Sequence, residues 1–338
     1  MSIVPDSIPL RYMIVAWLIA AFVLLFALVF HLLPGLLAGL LVYEMVRIVA
    51  SRLRLLHAGL GRVAAVALLA VAVLVLFTLL FLGAVEFFGS DAGSLPVLLQ
   101  KMAEIIESSR GALPSWVFES IPVDADGLKN AFSAWLRGHA SDVQLLGSEA
   151  GRTVVHVLIG LVIGTLVALR ARRPVDSNGP LVRALAERAV RLSGAFRRIV
   201  FAQVRIAALN ALFTATYLVV VLPMLGIHLP LTKTMIAITF IAGMLPVIGN
   251  LISNTVVVVV SLSASLYVAL GSLAFLVLLH KLEYFLNARI VGAQIRASAW
   301  ELLLAMLIME AAFGIPGLVA APIYYAYLKD ELETQGLI

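Results

Sequence analysis

The chain contains no cysteine among its 338 residues. That absence excludes a disulfide framework, a thiolate metal site and a cysteine nucleophile. Charge is scarce as well: 13% of residues are charged and 62% are hydrophobic. Mean hydropathy is +1.08, far from the balance of a soluble domain. Catalytic signatures are also missing. The sequence has no His-Glu-x-x-His, no Gly-x-Ser-x-Gly elbow, no phosphate-binding loop and no dinucleotide fingerprint. The chain therefore does not read as an enzyme, no cofactor is expected, and ATP-driven transport by this chain alone is excluded. His156 and His280 stand alone, without metal-ligand spacing, and read as packing or interfacial residues. The basic residues lie between apolar runs rather than on a free basic domain, which argues against nucleic acid as a partner.

Long apolar runs dominate what is present. A spanning helix needs roughly 20 apolar residues, and 12–33, 63–85, 153–169, 206–226 and 266–286 supply them. The expected fold is an all-α, polytopic transmembrane helical bundle, with the lipid bilayer as its first partner. Charge partition gives an orientation. Arg47, Arg52, Arg54 and Arg62 stand together without an acid and belong inside. Residues 89–150 carry four basic residues against eight acids and belong outside, whereas 170–205 carry nine arginines against Asp176 and Glu187 and return inside. With 12–33 and 35–50 as a hairpin, both termini fall on the cytoplasmic side of a multi-pass bacterial inner-membrane protein.

These features divide the chain into N-terminal membrane helices (1–88), an extracytoplasmic amphipathic helical insert (89–150), and a membrane helix plus a basic cytoplasmic amphipathic helix (151–205). A C-terminal core (206–330) and a short cytoplasmic tail (331–338) follow. In the insert, Leu95, Leu98, Leu99, Met102, Ile105 and Ile106 repeat at helical spacing, as do Leu128, Phe132, Trp135 and Leu136. In the inner segment, Leu181, Leu185, Leu192, Phe196 and Ile199 share a side with arginines around the other. Such a helix suits an anionic leaflet; a solvated connector is the alternative. Gly35-x3-Gly39 and Gly160-x3-Gly164 fit close helix approach.

Two apolar stretches are broken in the middle. The run 234–270 is interrupted by Gly243, Pro246 and Gly249, and 302–328 by Gly314, Pro316 and Gly317. Proline removes a donor and glycine loosens the chain. Broken backbone at membrane depth survives only inside protein or beside a watery cavity. Two such breaks in one chain point to a transporter's substrate site. Residues 234–264 and 301–328 are expected to be broken or re-entrant hairpins of inverted topology; kinked full spans are the alternative.

Four polar residues lie near the breaks. Glu310 precedes the second break with no counter-charge three or four residues away, so it reads either as an ion- or proton-coupling group or as a hydrogen-bonded structural carboxyl. Asn250, Ser253 and Asn254 follow the first break, as ligands for a polar solute or cation, or as caps and interhelical glue. Glu283, Asn287 and Arg289 end the run 266–286, either as interfacial anchors or as a gate.

The run Leu245-Pro246-Val247-Ile248-Gly249-Asn250 resembles the proline–glycine signature of the autoinducer-2 exporter family of multispanning bacterial transporters. Asn287-Ala288-Arg289-Ile290-Val291-Gly292, followed by Glu301-Leu302-Leu303 and Phe313-Gly314-Ile315-Pro316-Gly317, is similar to that family's closing segment. Asn250 and Arg289 stand where many members have proline. The resemblance implies a secondary transporter, a homo-oligomer, that exports a small polar solute or signal molecule or exchanges a cation for protons. A passive channel and a non-transporting scaffold are the competing classes.

Overall fold

The computed structural model describes residues 9–52, 61, 63–71, 75, 82, 125–170, 179–244, 248–262, 264–290 and 298–337. Every regular element among them is helical: α1 Leu10–Val29, α2 Leu33–Arg52, α3 Ala125–Gly138, α4 Ala140–Arg170, α5 Pro180–Thr216, α6 Thr232–Gly243, α7 Ile248–Leu262, α8 Leu266–Ile290 and α9 Ala299–Thr334. Beyond Thr216, α5 runs on through a π turn, Tyr217–Val221, into Leu222–Met224. Helices α1, α2, α4 and extended α5 are long and apolar enough to cross a membrane; α9 has the length and composition too, but it is folded in two. The amphipathic run 95–106 of the insert, with Arg54, Arg62 and Pro246, lies outside the described residues.

The chain divides into two compact units. One combines Met1–Ala72, Glu149–Phe201 and Val291–Ile338; the other combines Val73–Ser148 and Ala202–Ile290.

In the first unit, α1 ends in a reversal at His31, which adopts a left-handed conformation at φ 56°. The Leu32 amide bonds the Ala27 carbonyl at 2.8 Å and the His31 amide bonds Leu28 at 3.2 Å. This paired arrangement satisfies carbonyls that the helix end would orphan. Helix α2 then meets α4 through the two glycine motifs. A Cβ on Gly35 would lie 2.7 Å from the His156 carbonyl, and one on Gly39 would lie 3.0 Å from that of Gly160. In return, Gly160 and Gly164 face the backbone of Gly35 and Gly39 more closely still. Small residues at this spacing let two backbones touch, the device by which apolar helices associate without a hydrophobic driving force. The opposite side of α4 presents exposed Val154, Leu158, Val162 and Leu166.

The core of this unit joins Leu24 of α1, Ala195, Phe196 and Ile199 of α5, and Ile323, Ala326 and Tyr327 of α9. Beside it lies a charge clamp. Glu331, 6% exposed, is paired with Arg191, with Arg188 at 3.7 Å and with the Trp17 indole N–H at 3.2 Å. Glu44, 1% exposed, accepts from Ser193 and pairs with Arg47 at 2.9 Å. Arg198 reaches Asp330 at 3.5 Å. Instead of an arginine face turned to lipid headgroups, α5 directs Arg188, Arg191 and Arg198 at carboxylates of α9. The reason is energetic: a buried carboxylate needs a permanent counter-charge.

Helix α9 doubles back on itself. Gly314 sits at φ 62°, ψ −145°, a region open to glycine alone. A Cβ on Gly317 would run into the Met309 carbonyl and come within 3.0 Å of the Phe313 Cβ. In a straight helix, residues eight apart are about 12 Å apart, so the contact demands a reversal. The outer ends confirm it. The Tyr325 hydroxyl donates to Glu301, and Lys329 Nζ donates to the same carboxylate at 3.0 Å. Residues 301–328 therefore fold as two helical arms around the glycine break. Ser298 and Glu301 form a capping box at the start of the first arm.

In the second unit, α6 and α7 pack together as a hairpin, and α7 packs on α8. At 12 and 15 residues, the arms are about 18 and 22 Å long, shorter than the roughly 30 Å of a hydrocarbon core. Gly249 lets the tip close, since its Cβ would strike the Ala242 carbonyl. The core includes Tyr217, Leu218, Leu222, Met235, Val257, Leu276 and Leu279.

Two outcomes test this packing. Gly160→Val should force α2 and α4 apart and abolish the folded protein in detergent, whereas Gly147→Ala, with open space at its Cβ, should leave thermal unfolding unchanged. Glu331→Ala should cost up to about 3–5 kcal/mol, because it takes the carboxylate from half-buried Arg191 and leaves buried Arg188 with Glu187 alone, and should lower the unfolding midpoint in the same assay.

Candidate functional site

The break between α6 and α7 leaves backbone groups that need partners. One is provided by α5: Gln203 Nε2 donates to the Gly243 carbonyl at 2.7 Å. Gly243 itself is hemmed in by Ala207, whose Cβ would lie 3.3 Å from an added Cβ. Polar side chains and a glycine therefore hold the broken end of α6 against α5.

Just beyond this junction is a small polar cavity. It is lined by Asn210 and Thr214 of α5, Thr239 of α6, Asn250, Ser253 and Asn254 of α7, and Leu276, Leu279 and His280 of α8. It has room for about one water molecule. Helical spacing explains the convergence. Asn210 and Thr214 are four apart on α5, as are Asn250 and Asn254 on α7, so each pair shares a face. Several of these groups satisfy themselves locally. Thr239 Oγ1 donates to the Met235 carbonyl at 2.8 Å, and Ser253 Oγ donates to that of Asn250 at 3.3 Å. Thr214 does not. It is 0% exposed, and its hydroxyl oxygen has no hydrogen-bond partner. A buried, unsatisfied hydroxyl costs about 1–3 kcal/mol. It lines the polar cavity, within which a single water would fit.

The structure thus gathers Asn250, Ser253 and Asn254, expected from the sequence, with Asn210, Thr214, Thr239 and His280, which were not. Glu310 is not among the lining residues; it stands exposed on the first arm of α9, ahead of Gly314. Gly243 and Gly249 shape the first break, and Gly314 and Gly317 the second. Pro316 lies at the start of the returning arm. Glu283, Asn287 and Arg289 fall within α8, and their side chains lie outside the described residues. No group of three metal-ligating side chains occurs among the described residues.

The model of the AI-2E family transporter matches residues 12–335. The chain belongs to this family. No curated protein and no solved structure matches it. As an AI-2E family member with several membrane-length helices, it is a multi-pass membrane protein of a transporter family.

Thr214→Val keeps the shape and removes the unpartnered hydroxyl. It should leave the unfolding midpoint unchanged or raised, and it should weaken solute binding about five- to tenfold, as expected for the loss of one hydrogen bond. Comparing thermal unfolding with transport KM checks both.

Proposed function

We propose that this chain is a secondary transporter that carries a small polar solute through the cavity of the second unit by alternating access. Membership of a transporter family supports the activity class. The observation that carries the substrate class is Thr214, a fully buried hydroxyl without a partner among the described residues, on a wall it shares with amides, hydroxyls, the His280 imidazole and two leucines. Among the described residues the lining contains no carboxylate, lysine or arginine, and His280 is its one titratable side chain. Such a wall suits an uncharged solute bearing hydroxyl or carbonyl groups, because each lining group both orients it and replaces its water.

In this reading, the α6–α7 hairpin is re-entrant, since neither arm is long enough to cross the hydrocarbon. The folded-back α9 is a second discontinuous helix, in the first unit. Discontinuous helices of this kind build the sites of many secondary carriers. The cavity has room for about one water, so it must widen before a solute enters. A closed site that has to open supports a carrier over an open pore. Glu310, exposed on a short hairpin arm, is the proposed ion- or proton-coupling carboxyl. Glu283, Asn287 and Arg289 at the end of α8 are proposed as a gate. We place the protein in a bacterial inner membrane as a homo-oligomer with both termini cytoplasmic.

The decisive experiment is solute counterflow in proteoliposomes, with candidate solutes drawn from the metabolites that differ between a deletion strain and its parent. Saturable flux, accelerated by unlabelled solute on the opposite side, is expected; linear, non-saturating flux without counterflow would overturn the carrier. Asn250→Ala and Asn254→Ala should raise KM several-fold each. Glu310→Gln should remove the pH dependence of transport while leaving exchange of one solute molecule for another. Unchanged pH-responsive flux would take Glu310 out of the mechanism.

A further inference from the structure

A second polar group lies buried in the same unit, apart from the cavity. The Tyr217 hydroxyl is 3.1 Å from Ser272 Oγ, which is 2.7 Å from Ser261 Oγ. Both serines are 0% exposed, and Tyr217 is 7% exposed. Its ring is stacked on Phe275 at 4.1 Å. This trio joins α5, the end of α7 and the start of α8.

Register relates the trio to the cavity. Helix α7 turns back into α8 through a short link and packs against it, so the two run in opposite directions. Tyr217 pairs with Ser272, while Asn210 shares the cavity with Leu279 and His280. Helix α5 therefore also runs opposite to α8. One turn from Ser261 toward the cavity is Val257, and one turn from Ser272 is Leu276. These two residues are 1% and 3% exposed, and they pack in one cluster with Met235 and Tyr217. A further turn reaches Ser253 and Asn254 on α7 and Leu279 and His280 on α8, all of them cavity-lining. Leu276 belongs to both surroundings, lining the cavity and packing in the Tyr217 cluster. The partition is one side-chain layer thick.

The chemistry of the trio is unbalanced in a useful way. Three hydroxyls carry three donor hydrogens, and the two bonds between them use two. One donor and several lone pairs remain for a guest. Apolar side chains of the same shape would fill the site without that desolvation cost. A π turn also begins at Tyr217, and such turns recur at functional sites.

We propose that Tyr217, Ser261 and Ser272 form a second station on the solute path, a hydroxyl-lined subsite for the same uncharged polar solute, and that Met235, Val257 and Leu276 are the gate between it and the cavity. This inference rests on the carrier reading of the cavity. Solute held by amides and hydroxyls on one side of the layer would exchange those hydrogen bonds for the trio's on the other. Only one apolar layer has to part.

The chain's lack of cysteine makes single-cysteine variants directly readable. In Ser272→Cys and Thr214→Cys, each near-isosteric, the rate of modification by the membrane-impermeant trimethylammonium-ethyl methanethiosulfonate would be measured in intact cells and in inverted vesicles. Both cysteines are expected to react, and adding Leu276→Ala should accelerate modification of Ser272→Cys about tenfold or more from the cavity side. A reactive Thr214→Cys beside a Ser272→Cys inert from both sides, with or without Leu276→Ala, would overturn the second station and leave the cavity intact. A reactive Ser272→Cys whose rate ignores Leu276→Ala would overturn the gate. If Thr214→Cys were also inert from both sides, the carrier reading itself would fall. Tyr217→Phe supplies an independent readout, since it keeps the stack on Phe275. A transport station requires a several-fold loss of flux at an unchanged unfolding midpoint; structural glue alone would give a lowered midpoint with normal flux per folded molecule.

Discussion

Hydrocarbon offers no hydrogen bonds, so every interrupted helix must find partners for its amides and carbonyls within the protein. Much of the architecture answers that constraint. The end of α6 gives its Gly243 carbonyl to Gln203. The reversal of α9 sits on a glycine whose dihedrals no other residue tolerates, and its far ends are latched by Glu301, Tyr325 and Lys329. Glycines at both tips allow main chain to approach main chain. Once side chains must serve broken backbone, polar groups gather where apolar ones would otherwise pack. The polar cavity bounded by Asn210, Thr214 and Asn250 lies beside the first of these breaks.

The two units are held together by different chemistry, and the magnitudes suggest a division of labour. The first relies on glycine-to-glycine backbone contact and on carboxylates buried among arginines. Breaking one such ion pair costs about 3–5 kcal/mol. The second relies, around its cavity, on hydroxyl and amide hydrogen bonds, each with a net value of about 1 kcal/mol. Rearranging a few of the latter lies within thermal reach; rearranging the former does not.

Much of this was legible in the residues, for identifiable reasons. The helical class and membrane setting follow from apolar run length, and both breaks follow from the backbone rules of proline and glycine, which need no tertiary information. Asn250, Ser253 and Asn254 stood out because polar residues beside a break are unusual. Asn210, Thr214 and Thr239 did not, because each sits in an apolar run, and His280 read only as a packing or interfacial residue; they become a site only when four helices converge. The four-residue spacing of Asn210 and Thr214 within 206–226 was the one available signal. The charge clamp was hidden for a related reason. Glu331 pairs with Arg191, 140 positions away, and no local pattern links them. Arg188, Arg191 and Arg198 of α5 therefore read as part of a lipid-facing surface when they are internal counter-charges.

The π turn at Tyr217–Val221 has one more consequence. It holds one residue more than an ordinary helical turn would, and Leu222 completes it by bonding back five positions to Tyr217. That surplus residue is slack. Releasing it would rotate one end of α5 against the other by about 100° and lengthen the rod by about 1.5 Å, with the bonds of the π turn alone re-formed four residues back instead of five. A helix with such slack can twist a tyrosine out of line without melting.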